Sequence, residues 1–362
     1  MRTITIFGGS GFVGRYLVQK FAEEGDLIRV AVRNPIAANF LKPLGEVGQI
    51  TPIQASLLNE DEISRAIQGA DVVINLVGIL YEKGSQTFEA IHVEGARRVA
   101  GKTAEFGIPT LLHMSALGAH EDASSKYASS KARGEEGVLR HFPEATIFRP
   151  SVIFGAEDSF LNRFAKMALI SPFLPLIGGG KTRFQPIYVE DVAEAFLKAS
   201  YKKETSGKTY TQRVSRIRMG DRSASPISGV TDVVEEDEAR AGYAQRLRSG
   251  EGETHPKLER RRVYELGGPS IYTFKELMGY LLKTIKRKRF LLPIPFPLAK
   301  AMATFTQFLP TPPLTPDQVE LLKQDNVVDD HALKAEDLGV FPQALEVLAP
   351  LYLNRYCPGG KN

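Results

Sequence analysis

Cysteine is almost absent from these 362 residues: Cys357 is the only one. An intrachain disulfide and a cysteine metal centre are thereby excluded. The six histidines, at 92, 113, 120, 141, 255 and 331, show no ligand spacing, so no metal is expected. Long apolar runs are missing too. The best candidate for a membrane span, 290–309, is broken by Pro293, Pro295 and Pro297 and carries Lys300. Prolines that close would break a spanning helix. Net charge is only +4, too mild to imply nucleic acid. The first strand pattern begins within a few residues of Met1, so no signal or transit peptide is expected ahead of it and a cytoplasmic-side protein is the simplest reading. The remainder is ordinary for a soluble chain, 43% hydrophobic and 24% charged, long enough for one large domain or two smaller ones.

What is present is most informative at the N-terminus. A β-branched run, Thr3-Ile4-Thr5-Ile6-Phe7, enters Gly8-Gly9-Ser10-Gly11-Phe12-Val13-Gly14, and a helical pattern follows with Val13, Leu17, Val18 and Phe21 on one face. A dinucleotide site needs this strand–turn–helix context. Gly8 permits the tight turn, Gly11 lets the backbone approach a pyrophosphate, and Gly14 lets the helix lie close on the sheet. The helix N-terminus then offers free N–H groups and positive dipole to phosphate.

Strand and helix patterns alternate through the first 150 residues. Strands are predicted at 27–32, 50–54, 72–77, 110–114 and 145–148, and helices at 60–68, 88–106 and 129–141. The fold class is therefore α/β: a doubly wound parallel Rossmann sheet over 1–150, with a smaller C-terminal substrate or docking region over 151–210 and 263–362 that shares the sheet. Residues 211–262 have no Phe, two Leu and dense Arg, Glu, Ser and Gly. They cannot bury enough apolar surface to order themselves, so a polar, disordered insertion is predicted there, with a small independent domain as the alternative. Helices are also expected from 188 to about 201, over 272–286 and over 317–324.

Several residues could carry chemistry. The second strand ends Ala31-Val32-Arg33-Asn34 without the acid that holds an NAD ribose, and Arg15 follows Gly14. Guanidinium groups suit a 2′-phosphate, so NADP(H) is favoured over NAD(H); the alternative is that Arg15 and Arg33 are solvated surface groups. Asn75-Leu76-Val77-Gly78 should border the cofactor, although Asn75 could equally form a turn. Tyr127 and Lys131 stand four apart on a helix, with Ser115 at the end of the fifth strand. In such a set the phenol moves a proton, the ammonium lowers the phenol pKa and holds the ribose, and the serine positions a carbonyl oxygen. Alternatively the Tyr and Lys are surface residues, or Lys131 grips the ribose while nothing reacts. Arg149-Pro150-Ser151-Val152 leaves the sixth strand toward the nicotinamide end, and Asp191 reads as a helix cap. The basic cluster 283–289 beside the apolar 290–309 run suggests a segment at a membrane surface, the alternative being a packed helix with a solvated basic edge.

Taken together, Gly8–Gly14, Asn75–Gly78, Tyr127/Lys131 and Arg149-Pro150-Ser151 resemble the short-chain dehydrogenase/reductase superfamily, in its extended or atypical branch. A closer resemblance is to the NADPH-binding accessory subunits of respiratory complex I (NADH:ubiquinone oxidoreductase). It is carried by Val73-Ile74-Asn75-Leu76-Val77-Gly78, Ser124-Ser125-Lys126-Tyr127 with Lys131, Phe142-Pro143-Glu144-Ala145, Ile153-Phe154-Gly155-Ala156-Glu157-Asp158, Gln185-Pro186-Ile187-Tyr188-Val189 and Leu292-Pro293-Ile294-Pro295-Phe296. The resemblance implies a structural dinucleotide, no turnover, other complex I subunits as partners, and a bacterial-type, peripheral location. That location is the cytoplasmic side of the inner membrane, or the matrix side for a processed mitochondrial form. Membrane contact would run through about 283–309. The residues expected at the cofactor are Gly8, Ser10, Gly11, Phe12, Val13, Gly14, Arg15, Arg33, Ser56, Leu57, Val77, Gly78, Ser115, Tyr127, Lys131, Pro150 and Val152, with Tyr127, Lys131 and Ser115 as the catalytic or vestigial set. Two positions depart from the superfamily: Ala55-Ser56-Leu57 lacks its acid, and His92 replaces an Asn. Both changes lean toward binding. The alternative function is a free NADP(H)-dependent reductase or epimerase acting on a small carbonyl, sugar-like or isoprenoid substrate.

Overall fold

A computed structural model describes residues 1–201, 262–309 and 312–359. Six strands open the chain: β1 (Thr3–Phe7), β2 (Leu27–Val32), β3 (Ile50–Gln54), β4 (Val72–Asn75), β5 (Thr110–Met114) and β6 (Thr146–Pro150). Between them run α1 (Phe12–Glu23), α2 (Glu60–Ile67), α3 (Ala96–Glu105) and α4 (Lys126–His141). The sheet has seven parallel strands in the order Arg262–Leu266, β6, β5, β4, β1, β2, β3.

Strand alternation explains the two faces. Ile4, Ile6, Val72, Ile74, Leu112 and Phe148 point into one core with α1 and with α6 (Val189–Tyr201). Phe7, Val73, Leu111 and Ile147 point into the other, with α2, α3 and α4. A parallel sheet buried on both sides needs apolar side chains at successive positions, and β4 supplies them. The chain winds outward from β1 through β2 to β3, then returns to β4 on the far side of β1. The crevice for a ligand opens at that reversal, beyond the strand carboxyl ends.

The C-terminal region packs a third core around Phe154, Leu174, Phe274, Leu281 and Leu345. It contains α5 (Leu161–Ile170), a parallel pair of strands Phe173–Ile177 and Phe290–Ile294, and helices at Phe274–Thr284, Phe296–Thr306, Pro316–Leu321 and Leu345–Leu353. The apolar run expected as one segment is therefore a strand followed by a helix. Pro293 and Pro295 keep the first half extended, and Pro297 falls in the helix's first turn, where no N–H is needed. No helix among the described residues is long and apolar enough to cross a membrane.

Three local expectations need correction. α4 begins at Lys126, not 129, because Ser125 caps it by accepting the Ala128 N–H at 3.2 Å. The helix expected over 88–106 opens as a π-helical turn, Glu89–Gly95. Asp191 is no cap: it sits inside the first turn of α6 and its carboxylate accepts the Gln343 N–H at 2.7 Å, pinning the C-terminal chain. The polar stretch 211–262 lies outside the described residues except for Arg262, which opens the seventh strand.

Candidate functional site

The glycine turn is built for an anion. Gly8 has φ +79°, left-handed backbone that favours glycine. A Cβ on Gly14 would stand 2.4 Å from the Gly8 carbonyl oxygen and 2.5 Å from Gly9 Cα, so only glycine lets α1 start this close to β1. Gly11 opens α1 without any side-chain cap, which leaves the first-turn N–H groups around Ser10, Phe12 and Val13 available to a phosphate. The Val13 side chain itself is buried in the core.

Arg15 lies just inside this turn. Its guanidinium is 5.4 Å from the Phe40 ring centroid and 3.6 Å from a Glu157 carboxylate oxygen, and its Nε is buried with no partner. Glu157 also accepts the Tyr16 hydroxyl at 2.7 Å. Arg33 follows β2 exposed, with no carboxylate within 4.0 Å among the described residues. At the end of β3 the Ser56 N–H donates to Glu62 at 2.8 Å, and Leu57 packs against Gly95.

Farther along the crevice, Asn75 accepts the Val77 N–H at 3.1 Å, so it shapes the turn out of β4. A Cβ on Gly78 would stand 3.1 Å from Lys131 Nζ and 3.6 Å from His92 Nε2. Lys131 donates to the Met114 carbonyl at 3.2 Å. Beside that carbonyl, Ser115 is 3% exposed and its hydroxyl has no partner. Ser115, Lys131 and Gly78 are thus gathered at one spot, with Tyr127 one helical turn before Lys131. Pro150 and Val152 are farther out. The Pro150 carbonyl accepts the Leu117 N–H at 3.0 Å, and the Val152 N–H donates to Asn326 Oδ1 at 3.1 Å.

His92 sits at the centre of this arrangement. Its Nε2 accepts the Ile79 N–H at 3.0 Å, so Nδ1 carries the proton and donates to Ser130 Oγ at 2.9 Å. The Ser130 hydroxyl in turn donates to the Tyr127 carbonyl at 2.8 Å. The imidazole also packs on Phe88 (5.3 Å between centroids) and on the Tyr127 ring (5.4 Å). Burial, with Lys131 nearby, pushes the imidazole pKa down to about 2. His113 on β5 is likewise lowered to about 3 by burial, then by Lys131. Burial brings the Lys131 ammonium down to about 8. Burial, and then the Asp317 carboxylate, raise the Tyr127 phenol to about 12.

Asp317 reaches this site from the C-terminal region. It accepts the Ser125 hydroxyl at 2.9 Å and the backbone N–H groups of Lys126 at 2.6 Å and Tyr127 at 3.1 Å. A carboxylate thus caps α4 where the helix dipole favours negative charge. Sequence reasoning missed Asp317, Asn326 and Glu157 because their partners lie more than a hundred residues away. It noticed His92 only as a departure, whereas the Ile79 bond is its role here.

These residues fit a dinucleotide: an uncapped helix start behind a glycine turn, a half-buried arginine whose Nε has no partner, and a buried hydroxyl without a partner beside a lysine. The family described as "NAD dependent epimerase/dehydratase family" matches residues 4–211. The chain is 34% identical over 369 residues to the NADH dehydrogenase [ubiquinone] 1 alpha subcomplex subunit 9, mitochondrial, of Arabidopsis thaliana, covering 99% of this chain and 79% of that protein. It is 32% identical over 190 residues to the ceramide reductase of Caulobacter vibrioides, covering 52% of this chain and 58% of the reductase. Among solved structures, the UDP-glucose 4-epimerase of Thermotoga maritima superposes with a TM-score of 0.63 at 16% identity, covering 98% of each chain, which is a likeness of fold. The chain belongs to the NAD dependent epimerase/dehydratase family and, within it, to the group of the complex I alpha subcomplex subunit 9.

Proposed function

We propose that this protein is an accessory subunit of a respiratory complex I in which bound NADP(H) is a structural element. The observation that carries the structural role is the electrostatics at Tyr127. Its phenol is raised to about 12 and an Asp317 carboxylate opposes its ionisation, while the Lys131 ammonium is held on the Met114 carbonyl. A general acid or base works best with a pKa near the operating pH. Burial of Tyr127 moves it away from that range.

Residues at the glycine turn, Ser10–Gly14, take the pyrophosphate, with Gly8 setting the turn. Arg15 and Arg33 favour the 2′-phosphate, since no acid ends β2 and the Arg15 Nε has no other partner. Ser56 and Leu57 border the adenine, while Val77, Gly78, Ser115, Tyr127, Lys131, Pro150 and Val152 border the nicotinamide ribose. A nicotinamide could supply hydride there; Lys131 holds the ribose. Contact with the membrane through 283–309, from the cytoplasmic or matrix side, is supported by the helix Phe296–Thr306. It buries its small residues Ala299 and Ala303 and exposes Leu298, Met302 and Phe305. Other complex I subunits complete the list of partners.

The partnerless Ser115 hydroxyl beside Lys131 favours a second reading, a reductase acting on a carbonyl. Nucleotide analysis of the purified, denatured protein separates the two. NADPH held near one per chain after extensive dialysis, and equally in Tyr127→Phe, is the expected result. Nucleotide lost on dialysis, with carbonyl reduction that disappears in Tyr127→Phe, would establish the reductase instead.

A further inference from the structure

Three bonds gather cations from separate parts of the chain onto one surface. Arg289 Nε donates to the Ala168 carbonyl near the end of α5 at 2.8 Å, and Arg287 Nε to the Tyr356 carbonyl at 2.9 Å. Arg355 donates back to the Ala156 carbonyl at 2.8 Å, beside the start of α5. An open pocket lies between them, lined by Lys166, Leu169, Arg355 and Tyr356. The run Lys286-Arg287-Lys288-Arg289 is tied to its walls by the Arg287 and Arg289 bonds.

Five cations on this surface have no ion-pair partner among the described residues, whereas several elsewhere in the molecule do. Arg2, Lys20, Arg97, Arg149, Arg183 and Lys300 each have a carboxylate within 4.0 Å. None of Lys166, Arg287, Lys288, Arg289 or Arg355 has one among the described residues. Large apolar side chains crowd beside these cations: Ile170 is 90% exposed, Phe290 74% and Phe173 50%, the two rings 5.8 Å apart. A soluble anion would satisfy the cations and leave those side chains in water. A phospholipid offers both halves, a phosphodiester for the guanidinium and ammonium groups and acyl chains for the apolar ones.

We propose that the end of α5, the 286–290 turn and Arg355 form a seat for the headgroup of an anionic membrane phospholipid. This rests on the membrane-contact reading above. It extends that reading beyond 283–309 to Lys166, Ile170 and Arg355 and names the lipid class. An anionic bilayer attracts such exposed cations and a neutral one does not, so the seat selects acidic lipids.

Flotation of the full chain with vesicles tests it. Pure phosphatidylcholine vesicles are compared with vesicles containing one third phosphatidylglycerol, at physiological salt. Binding should require phosphatidylglycerol, and Lys166→Glu with Lys288→Glu should weaken it at least about tenfold. The same charge change at Lys42 and Arg65, remote in the fold, should leave more than half of it. Ile170→Ser with Phe290→Ser should weaken binding without changing lipid preference. Unchanged nucleotide retention in each variant reports an intact fold. Equal binding to both vesicle types, equal loss from the Lys42/Arg65 control, or full competition by soluble glycerol phosphate would overturn the seat. Only loss of nucleotide binding in the parent protein bears on the proposed function, so the two failures are distinguishable.

Discussion

His92 and His113 are the residues whose environment most limits the acid side of stability. Both are held neutral in the fold, at about 2 and about 3, against an ordinary value of 6.5. Below 6.5 the unfolded chain takes up a proton at each and the folded chain does not. Stability is therefore complete above about 6.5 and falls as pH drops toward the folded values. Each histidine costs about 2 kcal/mol by pH 5 on the linkage relation. The pH dependence of urea unfolding should show a slope of about two protons between pH 6 and 4 beyond that of the carboxylates. His113→Asn should reduce that slope by one. An unchanged slope would mean that water reaches the imidazole. Lys131 acts in the same sense at higher pH: its folded value near 8 lies below the usual lysine range, so its burial opposes folding at neutral pH and the cost eases as pH rises. A ribose hydroxyl at its Nζ would offset that cost.

At the level of elements, α4 depends on a residue far away in sequence. Asp317 accepts three hydrogen bonds at its start, two of them from backbone N–H groups that no residue of α4 can satisfy. Asp317→Asn removes the charge and one acceptor site. Thermal or chemical unfolding should show a loss of about 1–2 kcal/mol, the scale of a lost cap. Nucleotide should also dissociate faster, because Tyr127 and Lys131 lie in the first two turns. A variant as stable and as retentive as the parent would show the cap to be dispensable. Legibility in sequence divides along the same line. β2, β3 and β5 were readable to the residue because a buried parallel strand needs an apolar run between turn residues, and the glycine turn was readable because its chemistry is local. The start of α4 carried a local mark, the Ser125 cap. The Asp317 cap, the Gln343 partner of Asp191 and the Ile79 partner of His92 did not: each of those partners lies 13 or more residues away, and local patterning carries no trace of it. The proline-broken 290–309 run was readable as unable to span a membrane, but its division into strand and helix follows from pairing with Phe173–Ile177.

Across the whole molecule, the nucleotide crevice and the C-terminal region are tied at several points. Glu157 meets Arg15 and Tyr16, Asn326 holds Ser151 and Val152, and Asp317 holds α4. A ligand that binds only this joined state stabilises all of it, by about 2.7 kcal/mol at a hundred times its Kd. The nucleotide-free protein should therefore melt lower in calorimetry, and NADPH should raise its Tm more than NADH at equal concentration. Equal shifts would remove the case for Arg15 and Arg33 as 2′-phosphate ligands. The cap at Asp317 has one further consequence, for the order of events during synthesis. When α4 has left the ribosome, its acceptor at 317 and the strand bordering β6 at Arg262–Leu266 are still to be translated. The nucleotide crevice is thus finished only once residues 317 and 326 have been made, and a filled crevice marks a polypeptide translated past them.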